Sequence, residues 1–226
     1  MASLTTEDNW KWNYLDCSDG VRLDDPDSRV ASFHANLNHD LVGVRGTRVL
    51  NNGRYYWELQ VTSSSVVART LFGIATKKMP LDLVYFPETM PNKGWFLTHV
   101  GLLWHSGEFS NYKGRFLHHF ETPIGVLFDG ISGTLSYYIN GKYVGVAFNR
   151  LNEVKDALYP FVALSSDNAA ITLTKMTKEF VNLQGRCRAV ILKRVKVKAR
   201  IEELPLPKPI KDYLKDPLDD VQISVN

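Results

Sequence analysis

Cysteine is nearly absent from this chain: 226 residues hold two, Cys17 and Cys187, far apart and in unlike surroundings. That pattern excludes a disulfide framework and gives no zinc-ligand spacing. Long apolar runs are missing too, so no segment reaches the length of a membrane span. The start, Met1 to Trp10, has no basic region followed by an apolar core, so no secretory leader is expected. Neither charge sign dominates; 27 Lys and Arg against 24 Asp and Glu leave +3, too little to argue for nucleic acid or membrane partners. Phosphate-binding glycine loops, a nucleophile elbow and HExxH are all lacking. His118 and His119 are adjacent, so on a strand they face opposite sides, and no spaced third ligand accompanies them. No enzyme activity, metal or cofactor is expected. The expected compartment is the cytoplasm, with the nucleus open, because the basic run 193–198 reads as a solvated helix face.

What is present describes a folded chain, with 44% apolar and 12% aromatic residues, long enough for one sizeable core and a small accessory module. Through about residue 175 the pattern is antiparallel sheet. In 55–61, Tyr55, Trp57, Leu59 and Val61 alternate with Tyr56, Glu58 and Gln60, which places the two sets on opposite faces. Further strands are expected at 71–76, 124–128, 134–139, 142–147, 159–164 and 169–174. Asn140-Gly141 tolerates the positive φ of a type I′ turn and marks 134–147 as a hairpin. Glycines inside strands, Gly73, Gly125 and Gly145, fit a curved or closely packed backbone. Short strands without intervening helical periods argue for a β-sandwich. The segment 77–115 is interrupted by Pro80, Pro87 and Pro91 yet carries Tyr85, Phe86, Trp95, Phe96 and Trp104. It reads as a packed excursion with one strand over 95–103. Trp57, Phe72, Leu127 and Tyr159 are assigned to the core. Arg45 reads either as facing a ligand or as paired with Glu58 or Asp129.

After Thr177 the period changes. Leu183, Cys187, Val190 and Ile191 recur at helical spacing behind a candidate N-cap, Asn182. Gly185, inside this helix, weakens it by roughly 1 kcal/mol relative to Ala. Pro205, Pro207 and Pro209 then impose an extended path, with a short helical turn at 210–214. An apolar helix stripe followed by a proline-punctuated apolar segment suits docking better than closing a core.

Several stretches in this order resemble one family. They are Trp10-Lys11-Trp12, Val44-Arg45-Gly46-Thr47, Tyr56-Trp57-Glu58-Leu59, Phe72-Gly73-Ile74-Ala75-Thr76 and Gly101-Leu102-Leu103-Trp104-His105. Gly125-Val126-Leu127-Phe128-Asp129, Gly133-Thr134-Leu135, Gly145-Val146-Ala147 and Tyr159-Pro160 continue the series. The chain resembles the SPRY domain-containing SOCS box family, with an order of elements nearest that of its third member. The resemblance implies a mostly β fold: a SPRY/B30.2-type antiparallel β-sandwich over 1–177, a small helical SOCS box over 178–216, and an acidic tail over 217–226.

It also implies a substrate receptor of an elongin B/C–cullin-5 ubiquitin ligase with its RING partner, without catalytic residues of its own. Elongin C contact would fall to Leu183, Cys187, Val190 and Ile191. Cullin contact would fall to Leu204, Pro205, Leu206, Pro207, Ile210, Tyr213 and Leu214. The family's client loops, which take short and often Asn-containing segments, map to His34, Asn36 and Asn38, to Tyr85, and to Ser165, Ser166, Asp167 and Asn168. Beside these roles, Tyr85 can equally pack in the core, and 165–168 can equally be a turn held by its own side chains. The chain departs from the family at Asn182, Gly185 and Arg186. It also lacks a tryptophan-glycine pair in the last client loop, and its loop around Tyr85 is shortened. The alternative is a SPRY interaction adaptor whose box no longer recruits a ligase.

Overall fold

The computed structural model describes residues 5–24, 28–34, 41–50, 53–63, 69–83, 93–112, 122–165, 167–179, 187, 191, 194–195 and 198–215. The strands among the described residues up to Glu179 form two antiparallel sheets. In chain order the strands are β1 (Thr5–Glu7), β2 (Trp12–Cys17), β3 (Val21–Asp24), β4 (Val30–His34), β5 (Leu41–Gly46), β6 (Arg54–Ser63), β7 (Arg69–Thr76) and β8 (Asp82–Leu83). They continue as β9 (Gly94–Thr98), β10 (Leu102–His105), β11 (Glu108–Asn111), β12 (Ile124–Asp129), β13 (Thr134–Ile139), β14 (Lys142–Phe148), β15 (Leu158–Ser165) and β16 (Asp167–Glu179). One sheet runs β14-β13-β12-β6-β16-β4-β3, with β1 on β16; the other runs β11-β10-β9-β7-β15-β5-β2, with β8 on β5.

The alternation expected for β6 is what pairs it into the core. Tyr55, Trp57, Leu59 and Val61 are buried, and Tyr56, Glu58 and Gln60 face the other way, half-buried. The inner faces meet around Trp57, Phe33, Tyr137, Phe72 and Val162. Tyr137, fully buried, donates its hydroxyl to Phe72 O at 2.8 Å and so ties one sheet to the other. Gly73 next to it admits no side chain, because a Cβ would lie 2.0 Å from Trp95 O. Trp10 and Trp12 pack edge-on, Trp10 against Trp57 at 6.0 Å, so residues far upstream of β6 are core residues.

The hairpin at 134–147 forms as expected, with Asn140 and Gly141 at φ 50° and 72°. Three expectations are corrected. The single strand at 95–103 is two strands, because Gly101 takes φ 81° and Thr98 Oγ1 accepts from Leu102 N–H at 3.0 Å, closing a turn between them. Leu127 is half-buried on the outer face of β12, since Ile124, Val126 and Phe128 take the inner one. Tyr159 is likewise half-buried, its ring under Lys77 Nζ at 5.5 Å.

The outer face of the second sheet carries its own apolar layer. Leu41, Leu71, Phe96, Trp104, Phe161 and Ala163 are covered by Met79, Leu81 and Leu83 of the chain leaving β7. Phe161, Phe96 and Trp104 form a ladder, at 5.3 Å and 5.4 Å between centroids. The described parts of the excursion after β7, 77–83 and 93–112, are thus packed, as Trp95, Phe96 and Trp104 predict; Tyr85 and Phe86 lie outside the described residues.

Candidate functional site

The strand register gathers the described flanks of the predicted client loops at one end of the sandwich. Asp167 at the start of β16 is the Cα partner of His34 at the end of β4. Ser165 at the end of β15 pairs with Arg69 at the start of β7, and Leu41 at the start of β5 pairs with Leu83. His34 N–H donates to Gly20 O at 2.8 Å, which brings the β2–β3 turn to the same end. His34 and Ser165 are half-buried, a position from which side chains reach solvent. Asn36, Asn38, Tyr85 and Ser166 lie outside the described residues, as do the side chains of Asp167 and Asn168.

Two features at this end were not foreseen. The β9–β10 turn projects Val100, half exposed, beside His99, whose Nδ1 accepts from Thr70 N–H at 3.3 Å. Burial lowers the His99 pKa, and the neighbouring Arg69 lowers it further. Gly101 was the sequence signal for this turn, overlooked within an apolar run.

Arg45 is neither at a ligand face nor paired with Glu58 or Asp129. It is buried, donates from Nη1 to Asp16 at 2.6 Å and from Nε to Thr76 O at 3.1 Å, and lies over the Phe161 ring. Burial lowers its pKa, while Asp16 acts in the opposite sense. Asp129 instead lies 3.6 Å from Arg54 and accepts from the N–H groups of Ile131 and Ser132. Glu58 accepts from the Tyr56 hydroxyl at 2.6 Å.

The other predicted surface begins where β16 ends. This strand runs from the predicted client end at Asp167 to Glu179 in 13 residues, about 40 Å at the usual rise. Cys187, Ile191, Arg194 and Val195 are helical, and Cys187 is exposed; Leu183 and Val190 lie outside the described residues. Ile201 and Leu214 form a small core with Ile191, Val195, Leu204 and Leu206 partly buried around it. A terminal helix, Lys208–Lys215, begins earlier than the expected turn and takes Pro209 into its first turn, where no amide hydrogen bond is lost. Lys211 donates to Glu202 O at 2.6 Å and Lys215 pairs with the Glu202 carboxylate, tying that helix to the 3₁₀ turn Lys198–Glu203. The seven candidate cullin residues therefore divide. Pro205, Pro207 and Ile210 are exposed, Leu204, Leu206 and Tyr213 half-buried, and Leu214 fully buried. Among the described residues there is no cluster able to hold a metal and no helix long and apolar enough to cross a membrane.

Comparison with known proteins matches the two parts of the chain separately. The SPRY domain model matches residues 54–177, and the SOCS box model matches residues 182–215. The SPRY domain of human HERC1 superposes with a TM-score of 0.55 at 16% identity, over 73% of this chain and 97% of that one. A second human SPRY domain gives 0.53 at 18% identity, over 69% and 94%. The first unit is a SPRY sandwich.

SPRY domain-containing SOCS box protein 3 of Xenopus tropicalis is 30% identical, over 94% of this chain and 60% of that protein. Protein 1 of the same family from Homo sapiens is 29% identical, over 90% and 79%; Protein gustavus of Drosophila melanogaster is 26% identical, over 94% and 81%. The chain belongs to the SPRY domain-containing SOCS box family, and spans about 60% of the length of the frog relative.

Proposed function

We propose that this chain is the substrate-recognition subunit of an elongin B/C–cullin-5 ubiquitin ligase. The SPRY end bearing His34, Ser165 and Asp167 takes a short segment of a client, and the box docks the ligase. The observation that carries this is the succession of a SPRY match and a SOCS box match in one chain. Two structural features support it. The client end and the exit to the box lie at opposite ends of β16, so a client and a ligase need not compete for one surface. Cys187, Pro205, Pro207 and Ile210 are solvent-facing on a unit that has its own small core, as docking residues must be. Transfer chemistry belongs to other subunits. This chain contributes geometry: it holds a client near the charged ubiquitin carrier, raising effective concentration without a reacting group of its own.

Co-expression with elongin B/C followed by size-exclusion chromatography tests this assignment. A stoichiometric complex is expected, lost when Leu183 and Cys187 are both replaced by aspartate. Recovery of an unchanged complex with that variant contradicts the assigned contact. A folded SPRY domain that captures no elongin supports a stand-alone interaction adaptor.

A further inference from the structure

The residues from the end of β7 through β8 form a strap, Lys77–Leu83, that crosses the outer face of the second sheet from one end to the other. It starts beside Thr76, passes over Gly43 and finishes at the client end, where Leu83 pairs with Leu41 and Asp82 with Val42. The crossing is tight. A Cβ on Gly43 would lie 3.1 Å from Leu81 O and 2.7 Å from the Phe161 ring. At its origin Lys78 pairs with Asp156 at 2.9 Å and donates its N–H to Thr76 Oγ1 at 3.2 Å, and the backbone carbonyls are gathered by a third side chain. Arg45 donates from Nε to Thr76 O at 3.1 Å and from Nη2 to Lys77 O at 3.4 Å and to Met79 O, while Asp16 neutralises it from the facing bulge of β2. At its far end the Ser18 hydroxyl donates to the Asp82 carboxylate. Met79 and Leu83 are buried in the outer apolar layer.

A guanidinium suits this post and an ammonium does not. Its planar fork offers five donors in fixed directions, so one side chain can hold a carboxylate and several carbonyls at once. We propose that Arg45 is a positioning residue for client recognition, fixing through the strap where the chain re-enters the client end at Asp82 and Leu83. Arg45 touches no client; it sets the register of a segment that leads there. This rests on the assignment of the client surface made above.

The probe is a peptide selected by the wild-type chain, in complex with elongin B/C, from a displayed random-peptide library. Arg45→Lys keeps the charge and loses the fork. It is expected to weaken the selected peptide about tenfold, the loss of one well-organised contact. Elongin B/C assembly and cooperative unfolding are retained. Amide exchange at Met79, Leu81, Asp82 and Leu83 should quicken about tenfold, a change that a general loss of core packing would not confine to the strap. Ser18→Ala releases the far end without touching Arg45, and also removes the acceptor of Gly20 N–H at 3.2 Å. It is expected to weaken the peptide about threefold, and faster exchange at Asp82 and Leu83, not only at Gly20, assigns the loss to the strap. Should Arg45→Lys fail to fold, Ser18→Ala decides alone. Peptide affinity within a factor of about two of wild type in a folded variant overturns the proposal. So does unchanged exchange along the strap. If the wild type selects no peptide, the client assignment fails, and exchange alone then decides whether Arg45 holds the strap.

Discussion

Asp8→Ala is expected to destabilise the sandwich by about 3 kcal/mol, because it leaves a buried guanidinium without its carboxylate. Asp8 accepts from Arg48 Nε at 2.9 Å and pairs with its Nη2, and the two side chains are 6% and 9% exposed. Breaking one partner of such a pair costs about 3–5 kcal/mol. The lower figure applies here because Arg48 keeps its contact over the Tyr55 ring, 5.8 Å from the centroid, and Asp8 N–H still donates to Met176 O at 3.0 Å. In a domain of this size each kcal/mol moves the midpoint by about 2–4 °C, so a fall of about 6–12 °C follows. Urea unfolding, followed by tryptophan fluorescence to which the buried Trp10, Trp12 and Trp57 contribute, reports the change. The double replacement Asp8→Leu with Arg48→Met removes both charges and should recover most of the loss. A single-variant effect below about 1 kcal/mol, or a double variant as unstable as the single one, refutes the reasoning. The result matters because Asp8 lies far upstream of the matched SPRY span, in a segment whose Trp10 and Trp12 are part of the core.

Four other outcomes are expected. Tyr137→Phe, which removes the hydroxyl bonded to Phe72 O across the two sheets, should lower unfolding free energy by about 1 kcal/mol in chemical denaturation. Gly141→Val, at φ 72° with open space around it, should cost about 1–2 kcal/mol from backbone strain alone, and Asn at the same site should cost less. His99 is held below its ordinary pKa of 6.5, so the unfolded chain takes up the proton first. Stability is then full above that value and declines as pH falls from 6.5 toward the folded pKa, and His99→Gln should flatten this slope in pH-dependent melts. A peptide spanning 182–215 should show little helix alone by circular dichroism and gain it with elongin B/C. Burial of Ile201 and Leu214 supplies about 3–6 kcal/mol, against an ordering cost of roughly 1.5 kcal/mol per residue.

The strand pattern was legible wherever two-residue alternation met a strong turn signal. Tyr55 to Val61 and the Asn140-Gly141 hairpin show both, and the structure follows them. Errors arose where one cue stood for two effects. An apolar run over 95–103 concealed a turn, because Gly101 lies between residues that would each suit a strand. Leu127 and Tyr159 are apolar enough for a core, but alternation hands the inner face to Val126, Phe128 and Leu158. Arg45 was ambiguous because nothing local to it names its partners. Asp16 is 29 residues away and Thr76 is 31 away; the pairing of β2 with β5, and of β15 with both β5 and β7, brings them together. The proposed docking segment was recognisable from its prolines, yet its division into a buried Leu214 and an exposed Ile210 depends on helix phase from Lys208 onward. The proposed client end is a matter of register. It exists because β4, β5, β7, β15 and β16 begin or end together, which no single stretch of sequence displays.

Titration of the purified elongin B/C complex with cullin-5, followed by size-exclusion chromatography, tests the receptor assignment most directly. Stoichiometric capture of cullin-5, abolished by Pro205→Ala with Ile210→Asp and untouched by Ser165→Ala, is the expected result. A folded complex that leaves cullin-5 free, or that binds equally well with the docking residues replaced, contradicts it.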